Sequence, residues 1–212
     1  MTVARGSLFA AASKLLQRKR ARVGFDPRHL THEAFLELSD RAGSSLRLVP
    51  SPGLIEELRM IKSPDEIELI RRSCRLASEA FVHSITAMRP GVSEIGLAGG
   101  IDNRMKRLGA EKPAFETIVA FGDHAAMPHA SPGGRILAGN ELVLVDMGAF
   151  LGGYASDMTR VVFLGRPGRR LRDLHRAVLE AQLAALDTVR EGIAAGAVAR
   201  AARRVLRKHK LD

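Results

Sequence analysis

The segment Glu141–Leu164, ELVLVDMGAFLGGYASDMTRVVFL, decides how the rest of this chain is read. Two runs rich in Val, Leu, Phe and Thr flank Leu151-Gly152-Gly153, the pattern of a β-hairpin closed by glycine. Each run carries one carboxylate among mostly apolar neighbours, Asp146 in the first and Asp157 in the second. A two-residue loop, Leu151-Gly152 or Gly152-Gly153, turns both aspartates to the same face of the ladder. They then stand directly opposite or one diagonal step apart, with Cβ atoms roughly 4.5–8 Å apart. A three-residue loop sends them to opposite faces, so loop length decides the reading.

Two like charges buried at that separation repel, and burial penalises each one further. Either one is protonated, or a cation lies between them. No lysine interrupts these strands, and Arg160 shares the parity of Met158, not that of Asp157. A divalent metal is the simplest remaining cation, because carboxylate oxygens are hard ligands that can bridge two ions. The plainer alternative makes both aspartates strand-end residues open to solvent.

Upstream, Phe115–Ala120 (FETIVA) alternates as a strand and leads into a loop rich in Gly, Pro and His, Phe121–Gly134. Within it, Gly122-Asp-His-Ala-Ala-Met-Pro-His129 holds His124 and His129 between two strands. A histidine tethered in this way can act as proton shuttle, oxyanion partner or metal ligand; the plainer reading is a solvated surface loop. Closeness to the aspartate hairpin favours His129, whereas nothing further singles out His124.

Ser63 and Glu66 form a capping-box pattern around Pro64. Ile67, Ile70, Cys74, Ala77, Phe81, Ile85 and Met88 then recur every three or four residues up to Pro90-Gly91. That periodicity predicts a helix burying this stripe, with Cys74 as an inert buried thiol. Ser93 caps a second helix marked by Ile101, Met105 and Leu108 and closed by Gly109. Its Gly96, Gly99 and Gly100 weaken it intrinsically and imply close packing against a neighbour.

Beyond the hairpin, Gly165–Gly168 turns into a helix marked by Leu171, Leu174, Val178, Ala181 and Ala185, ending at Gly192. Another helix follows through Val198, Ala201, Val205 and Leu206. This second helix pair has no strands of its own, as if a repeat stopped before its second half. A sheet left open exposes a pairing edge, which favours association. At the other end, residues 1–60 read helix, strand, helix, strand. The strands are Arg22–Asp26 and Ser45–Val49, the latter stopped by Pro50 and Pro52, with a helix from His32 to Arg41. Two short strands enclose little core, so this resembles the end of a larger domain.

Lys and Arg number 33 against 23 Asp and Glu, a formal charge of +10. The excess gathers in Lys14–Arg22, Arg166–Arg176 and Arg200–Lys210 and favours polyanions electrostatically. With no tryptophan, one tyrosine and no aromatics interleaved with these runs, dedicated nucleic-acid binding is disfavoured. A single cysteine excludes an internal disulfide framework. No run of about 18 apolar residues offers a membrane span, and the first residues lack the order of a secretory signal, so a cytoplasmic location is expected.

Taken together, certain ordered motifs resemble the pita-bread metallopeptidases: Xaa-Pro aminopeptidase, prolidase and creatinase. They are Leu58-Arg-Met-Ile-Lys-Ser-Pro-Asp-Glu-Ile67, Pro128-His129, Val145-Asp-Met-Gly148, and Tyr154 followed by Asp157-Met-Thr-Arg160. The ten residues between Asp146 and Asp157 also fit. The resemblance covers roughly residues 45–210 and rests on several motifs in order. It implies a mixed α/β (α+β) chain. Residues 1–60 are expected to be part of a creatinase-type amino-terminal domain. Residues 61–212 are expected to be the first portion of a pita-bread catalytic domain, with helix pairs on a curved, largely antiparallel sheet.

The resemblance also implies roles. Asp146 and Asp157 match the first two ligands of a dinuclear site usually holding manganese, cobalt or zinc, Asp157 being the one that bridges toward both ions. His129 matches the histidine that contacts substrate near the scissile bond. The implied reaction is hydrolysis of the bond before proline in peptides, by a hydroxide bound to the two metals. The family completes its site with a histidine and two glutamates expected beyond Asp212. The chain by itself is therefore expected to bind metal weakly and to lack activity, as a fragment, a degenerate member or a chain completed by a partner. Two alternatives stay open: a non-catalytic relative whose basic surface binds nucleic acid or a protein partner, and a creatinase-like hydrolase of a small molecule. A homodimer is compatible with each.

Overall fold

Alternation of apolar and polar residues on either side of Gly152-Gly153 produces a ladder of one unbroken count. A computed structural model of the chain describes residues 8–16, 21–42 and 46–211. The chain divides into two compact units, Met1–Pro64 and Asp65–Asp212.

The first unit runs α1 (Leu8–Leu16), β1 (Ala21–Phe25), α2 (His32–Ala42), β2 (Leu46–Pro50) and α3 (Leu54–Met60). β1 and β2 pair in parallel from Ala21↔Leu46 to Phe25↔Pro50. A parallel pair needs a crossover, which α2 supplies. Thr31 Oγ1 accepts from the Ala34 amide at the start of that helix, and Ala34 and Leu38 are buried. The rings of Phe25 and Phe35 lie 5.2 Å apart. Helix, strand, helix, strand is thus the observed order, with α3 as an addition. Arg18, Lys19 and Arg20 of the first basic run, and Ser45 of the second expected strand, lie outside the described residues.

The second unit begins with α4 (Pro64–Ile85) and α5 (Glu94–Arg107), then β3 (Lys112–Pro113) and β4 (Ile118–Phe121). The hairpin strands follow as β5 (Glu141–Met147), β6 (Ala149–Leu151), β7 (Tyr154–Ala155) and β8 (Met158–Leu164). The helix pair α6 (Arg169–Thr188) and α7 (Ala195–Lys208) closes the order. Both sheets are antiparallel and three-stranded, β4-β5-β8 and β3-β6-β7. In β5 the odd residues Val143, Val145 and Met147 are fully buried. They pack with Leu97, Ile101 and Met105 of α5 and Leu76, Ala77 and Ala80 of α4. Asp146, of opposite parity, falls on the other face.

Several expectations need correction. The buried face of α4 consists of Ser73, Leu76, Ala77, Ala80 and Ser84, which shares Ala77 with the expected stripe but otherwise lies one position to its side, while Phe81 packs against the core and Met88 beyond the helix is buried as expected. Ile67 and Ile85 are exposed, and so is Cys74, which is not a buried thiol. A three-to-four periodicity fits adjacent stripes, and close approach to the hairpin selects the one with small side chains. Ser73 Oγ donates to the Ala149 carbonyl at 2.7 Å, and Ser156 Oγ donates to the Ser73 carbonyl at 3.2 Å. In α5, Gly99 and Gly100 face open space, so they mark no tight contact. The strand expected from Phe115 starts only at Ile118, because Thr117 leaves the alternation to donate its hydroxyl to Asp102 at 2.6 Å.

The Ser93 cap is present, its Oγ accepting from the Gly96 amide at 3.1 Å. α6 ends at Thr188, short of Gly192, and it buries Ala177 and Ala181 but leaves Leu174 and Val178 exposed. Among the described residues β8 pairs on one side only.

Candidate metal centre

Gly152 and Gly153 have φ of +59° and +86°, the left-handed values that a two-residue type I′ turn requires. Leu151 pairs with Tyr154 and Phe150 with Ala155, while Met147 pairs with Met158 and Asp146 with Thr159. The count is the same in both stretches, so Asp157 stands across from Gly148. That places it one diagonal step from Asp146 on the same face. The short interval between the two stretches is stitched by the Ser156 amide donating to Ala149 O at 2.9 Å. In return the Ala149 amide donates to Ser156 Oγ at 3.0 Å. Gly148 leaves no room here for a side chain, since a Cβ would meet the Ser156 carbonyl oxygen at 2.0 Å. Tyr154 adds a tether by donating its hydroxyl to Glu66 of α4 at 2.5 Å.

Asp146 is half-buried, with Oδ1 accepting from Thr159 Oγ1 at 2.6 Å, and Asp157 is exposed. Solvent therefore reaches the pair and screens its repulsion. Burial thus forces no cation between them. What remains is donor geometry: two hard oxygen ligands presented side by side on one ladder face, which suits divalent ions. The donor set is partial. Among the described residues no third His, Cys or carboxylate joins Asp146 and Asp157 in a group whose donor atoms all lie within 4.8 Å of one another. The one group that meets this limit, Asp26, His29 and Glu56, is already bridged by Arg28, 2.6 Å from Asp26 and 2.8 Å from Glu56.

The two aspartates and His129 line one concavity of about 390 Å³, together with Phe115, Glu116, Ile118, Ala130 and Ser131. A groove of about 410 Å³ between β8 and α6 is bounded by Leu142, Val161, Phe163, Leu171 and Leu179 and has no carboxylate in its lining. Donor chemistry, not size, marks the former as the functional candidate. His129 is exposed and has φ of +58°, a left-handed conformation that costs a residue with a Cβ about 1–2 kcal/mol. The surrounding loop must hold it there.

Sequence reasoning missed Glu94, whose carboxylate meets that loop at three points. It opens α5 and is fully buried. Oε1 accepts from the Phe121 amide at 2.9 Å and faces His124 Nδ1 at 2.8 Å, while Oε2 accepts from the Gly133 amide at 3.1 Å. Burial pushes this carboxyl up, but the His124 contact and the two amides outweigh it and hold it below its ordinary value. The positive end of α5 favours the charge as well. His124, which nothing further in the sequence singled out, is thus the hydrogen-bond partner of a buried acid. The local signal, an acid just after a Ser cap, is too common to have revealed this.

Residues 68–212 match the family described as metallopeptidase family M24. The chain belongs to this family. Residues 2–61 match the creatinase/prolidase N-terminal domain. An uncharacterized peptidase of Bacillus subtilis (strain 168) is 34% identical over 172 residues, covering 81% of this chain and 48% of its relative. One from Staphylococcus aureus (strain USA300) is 40% identical over 139 residues, covering 66% and 40%. Among solved structures, the Xaa-Pro dipeptidase from Bacillus anthracis superposes with a TM-score of 0.90 at 28% identity, covering 97% of this chain and 58% of that one. The prolidase from Pyrococcus furiosus gives 0.87 at 29% identity, covering 98% and 60%. The chain spans about half the length of the curated relatives it matches. The fold is therefore the mixed α/β pita-bread type of the M24 peptidases, a family that works with divalent metals. Among the described residues no helix is long and apolar enough to cross a membrane.

Proposed function

We propose that this chain carries part of the active site of a peptidase that hydrolyses the bond before proline. The observation that carries the reading is the gathering of Asp146, Asp157 and His129 around one concavity by a loop and the hairpin that follows it. The structural relatives, an Xaa-Pro dipeptidase and a prolidase, support the substrate class.

In this reading Asp146 and Asp157 would be two of the ligands holding a dinuclear site of manganese, cobalt or zinc. Such ions supply Lewis acidity, polarising a scissile carbonyl and lowering the pKa of water. Thr159 Oγ1 occupies one oxygen of Asp146 and so fixes which lone pairs stay free for an ion. His129 offers a ring nitrogen at the wall facing the aspartates, where it donates to the substrate carbonyl as negative charge develops on that oxygen. Residues 1–60 are taken as part of a creatinase-type amino-terminal domain and residues 61–212 as the first portion of the catalytic domain. The protein is placed in the cytoplasm.

Two of five expected ligands bind an ion weakly, so the 212 residues are expected to take up Mn²⁺ with low affinity and to cleave no Xaa-Pro peptide. Mn²⁺ titration followed by electron paramagnetic resonance tests the site. Asp157→Ala should abolish the bound fraction, and uptake unchanged by that substitution refutes the assignment. For the substrate class, a peptide with proline at its second position should shift the His129 ring resonances in the presence of Mn²⁺, while its alanine counterpart should not. Equal shifts from both remove proline from the proposal, and measurable turnover by the purified chain overturns the expectation of inactivity.

A further inference from the structure

We propose that Glu94 is a positioning residue for His129, acting through a clasp that His124 completes; the inference rests on the role given to His129 above. The loop that carries His129 leaves β4 at Phe121 and returns toward α5 at Gly133. A single buried carboxylate accepts hydrogen bonds from the backbone amides at both of these points, 2.9 Å and 3.1 Å away. The loop answers with His124 Nδ1, 2.8 Å from the same carboxylate. Three donors from one loop thus converge on one side chain rooted at the first residue of a helix.

The returning strand of the loop is fixed independently. The Glu94 amide donates to Arg135 O and the Ile95 amide to Gly133 O, both at 3.0 Å. Both ends are therefore anchored, the far one by these amides and the near one by Phe121, which pairs with Val143 in the β4–β5 ladder, and the Glu94 side chain ties the two ends to each other and to His124 between them. Between them, the Met127 amide donates to His124 O at 3.1 Å, so displacement of His124 moves the Met127-Pro128-His129 run. Ala130, next to His129, is buried and gives the loop an apolar foot. His129 itself is exposed and in left-handed backbone, so its placement depends on the rest of the loop. The charge fits its role: a carboxylate can accept from three donors at once, and a charged acceptor binds amides more strongly than a neutral one.

Backbone ¹⁵N relaxation on the full 212-residue chain tests this. The wild-type His129 amide should show an order parameter of about 0.85, as rigid backbone does, and His124→Ala should lower it below about 0.6. Amide exchange at Phe121 should become at least about tenfold faster in that variant, the effect of losing a charge-assisted contact. His124→Asn, which restores a donor, should recover both readouts. Glu94→Gln provides a second probe, expected to loosen Phe121 and Gly133 together while the β5 resonances keep their wild-type positions. A general loss of stability would lower the melting temperature without singling out this loop. Unchanged order at His129 in both His124→Ala and Glu94→Gln, with the fold intact, overturns the inference. Mn²⁺-induced broadening of the Asp146 and Asp157 amides is recorded on the same sample. Its absence in the wild type would remove the metal reading, while the order parameters would still judge the clasp.

Discussion

Gly148 offers the most demanding test of the hairpin geometry. In Gly148→Ala, the new methyl would lie 2.0 Å from the Ser156 carbonyl oxygen, 3.0 Å from its carbon and 2.8 Å from Phe115 Cε1. A carbon normally approaches such an oxygen no closer than about 3.3 Å, so the two strands must separate by about 1.3 Å. The nearest obstacle is backbone, which no rotamer change can clear. Ordinary overpacking costs about 1–3 kcal/mol, and a clash with main chain belongs at or above the top of that range. With about 2–4 °C lost per kcal/mol in a chain of this size, the melting temperature should fall by roughly 6–12 °C. The shift also displaces Asp157, which follows Ser156 directly, so Mn²⁺ uptake should fall more than the loss of folded protein explains. Calorimetry and Mn²⁺ titration at a temperature where both proteins are folded measure the two effects. A change below about 0.5 kcal/mol, the range of innocuous surface substitutions, would refute the close approach described here.

Four further outcomes are expected. Gly99→Ala and Gly100→Ala, both facing open space in α5, should each stabilise the chain by about 0.5–1 kcal/mol in urea denaturation. Cys74 is exposed, so a thiol reagent should label it stoichiometrically in the native protein without denaturant. The Glu94 carboxyl is held below its ordinary value of 4.5, so its contribution is fully present above the unfolded-state value and lost as pH falls through the folded one. Acid unfolding curves should therefore be shallower for Glu94→Gln than for the wild type. Ser73→Ala deletes a buried hydroxyl donor and leaves the Ala149 carbonyl without that bond, which should cost about 1 kcal/mol in the same denaturation assay.

Those parts of the fold set by short-range rules were legible in the residues. The Gly152-Gly153 turn, the alternation of Val143, Val145 and Met147 about Asp146, and the Ser93 cap depend on neighbours within a few positions. The α4 face followed only in part from its own sequence, because a hairpin more than 70 residues away selects Ser73 and Ala80 over Ile67 and Cys74. For the candidate site the difference is the same in kind. Asp146 and Asp157 share one hairpin, so their relation could be counted. The seat of His129 depends on a carboxylate 35 positions upstream that no periodicity connects to it. Burial was misjudged too: apolar neighbours in sequence suggested an enclosed aspartate pair, yet Asp157 is exposed at the ladder's interruption.

Since a single tally of paired positions runs through both sheets, the hairpin constrains its own gene. Adding or deleting one codon between Asp146 and Asp157 would rotate one acid to the opposite side, whereas a balanced change, one codon in each arm, would keep them together. Length variants in this segment should therefore survive in even numbers, whatever residues they carry.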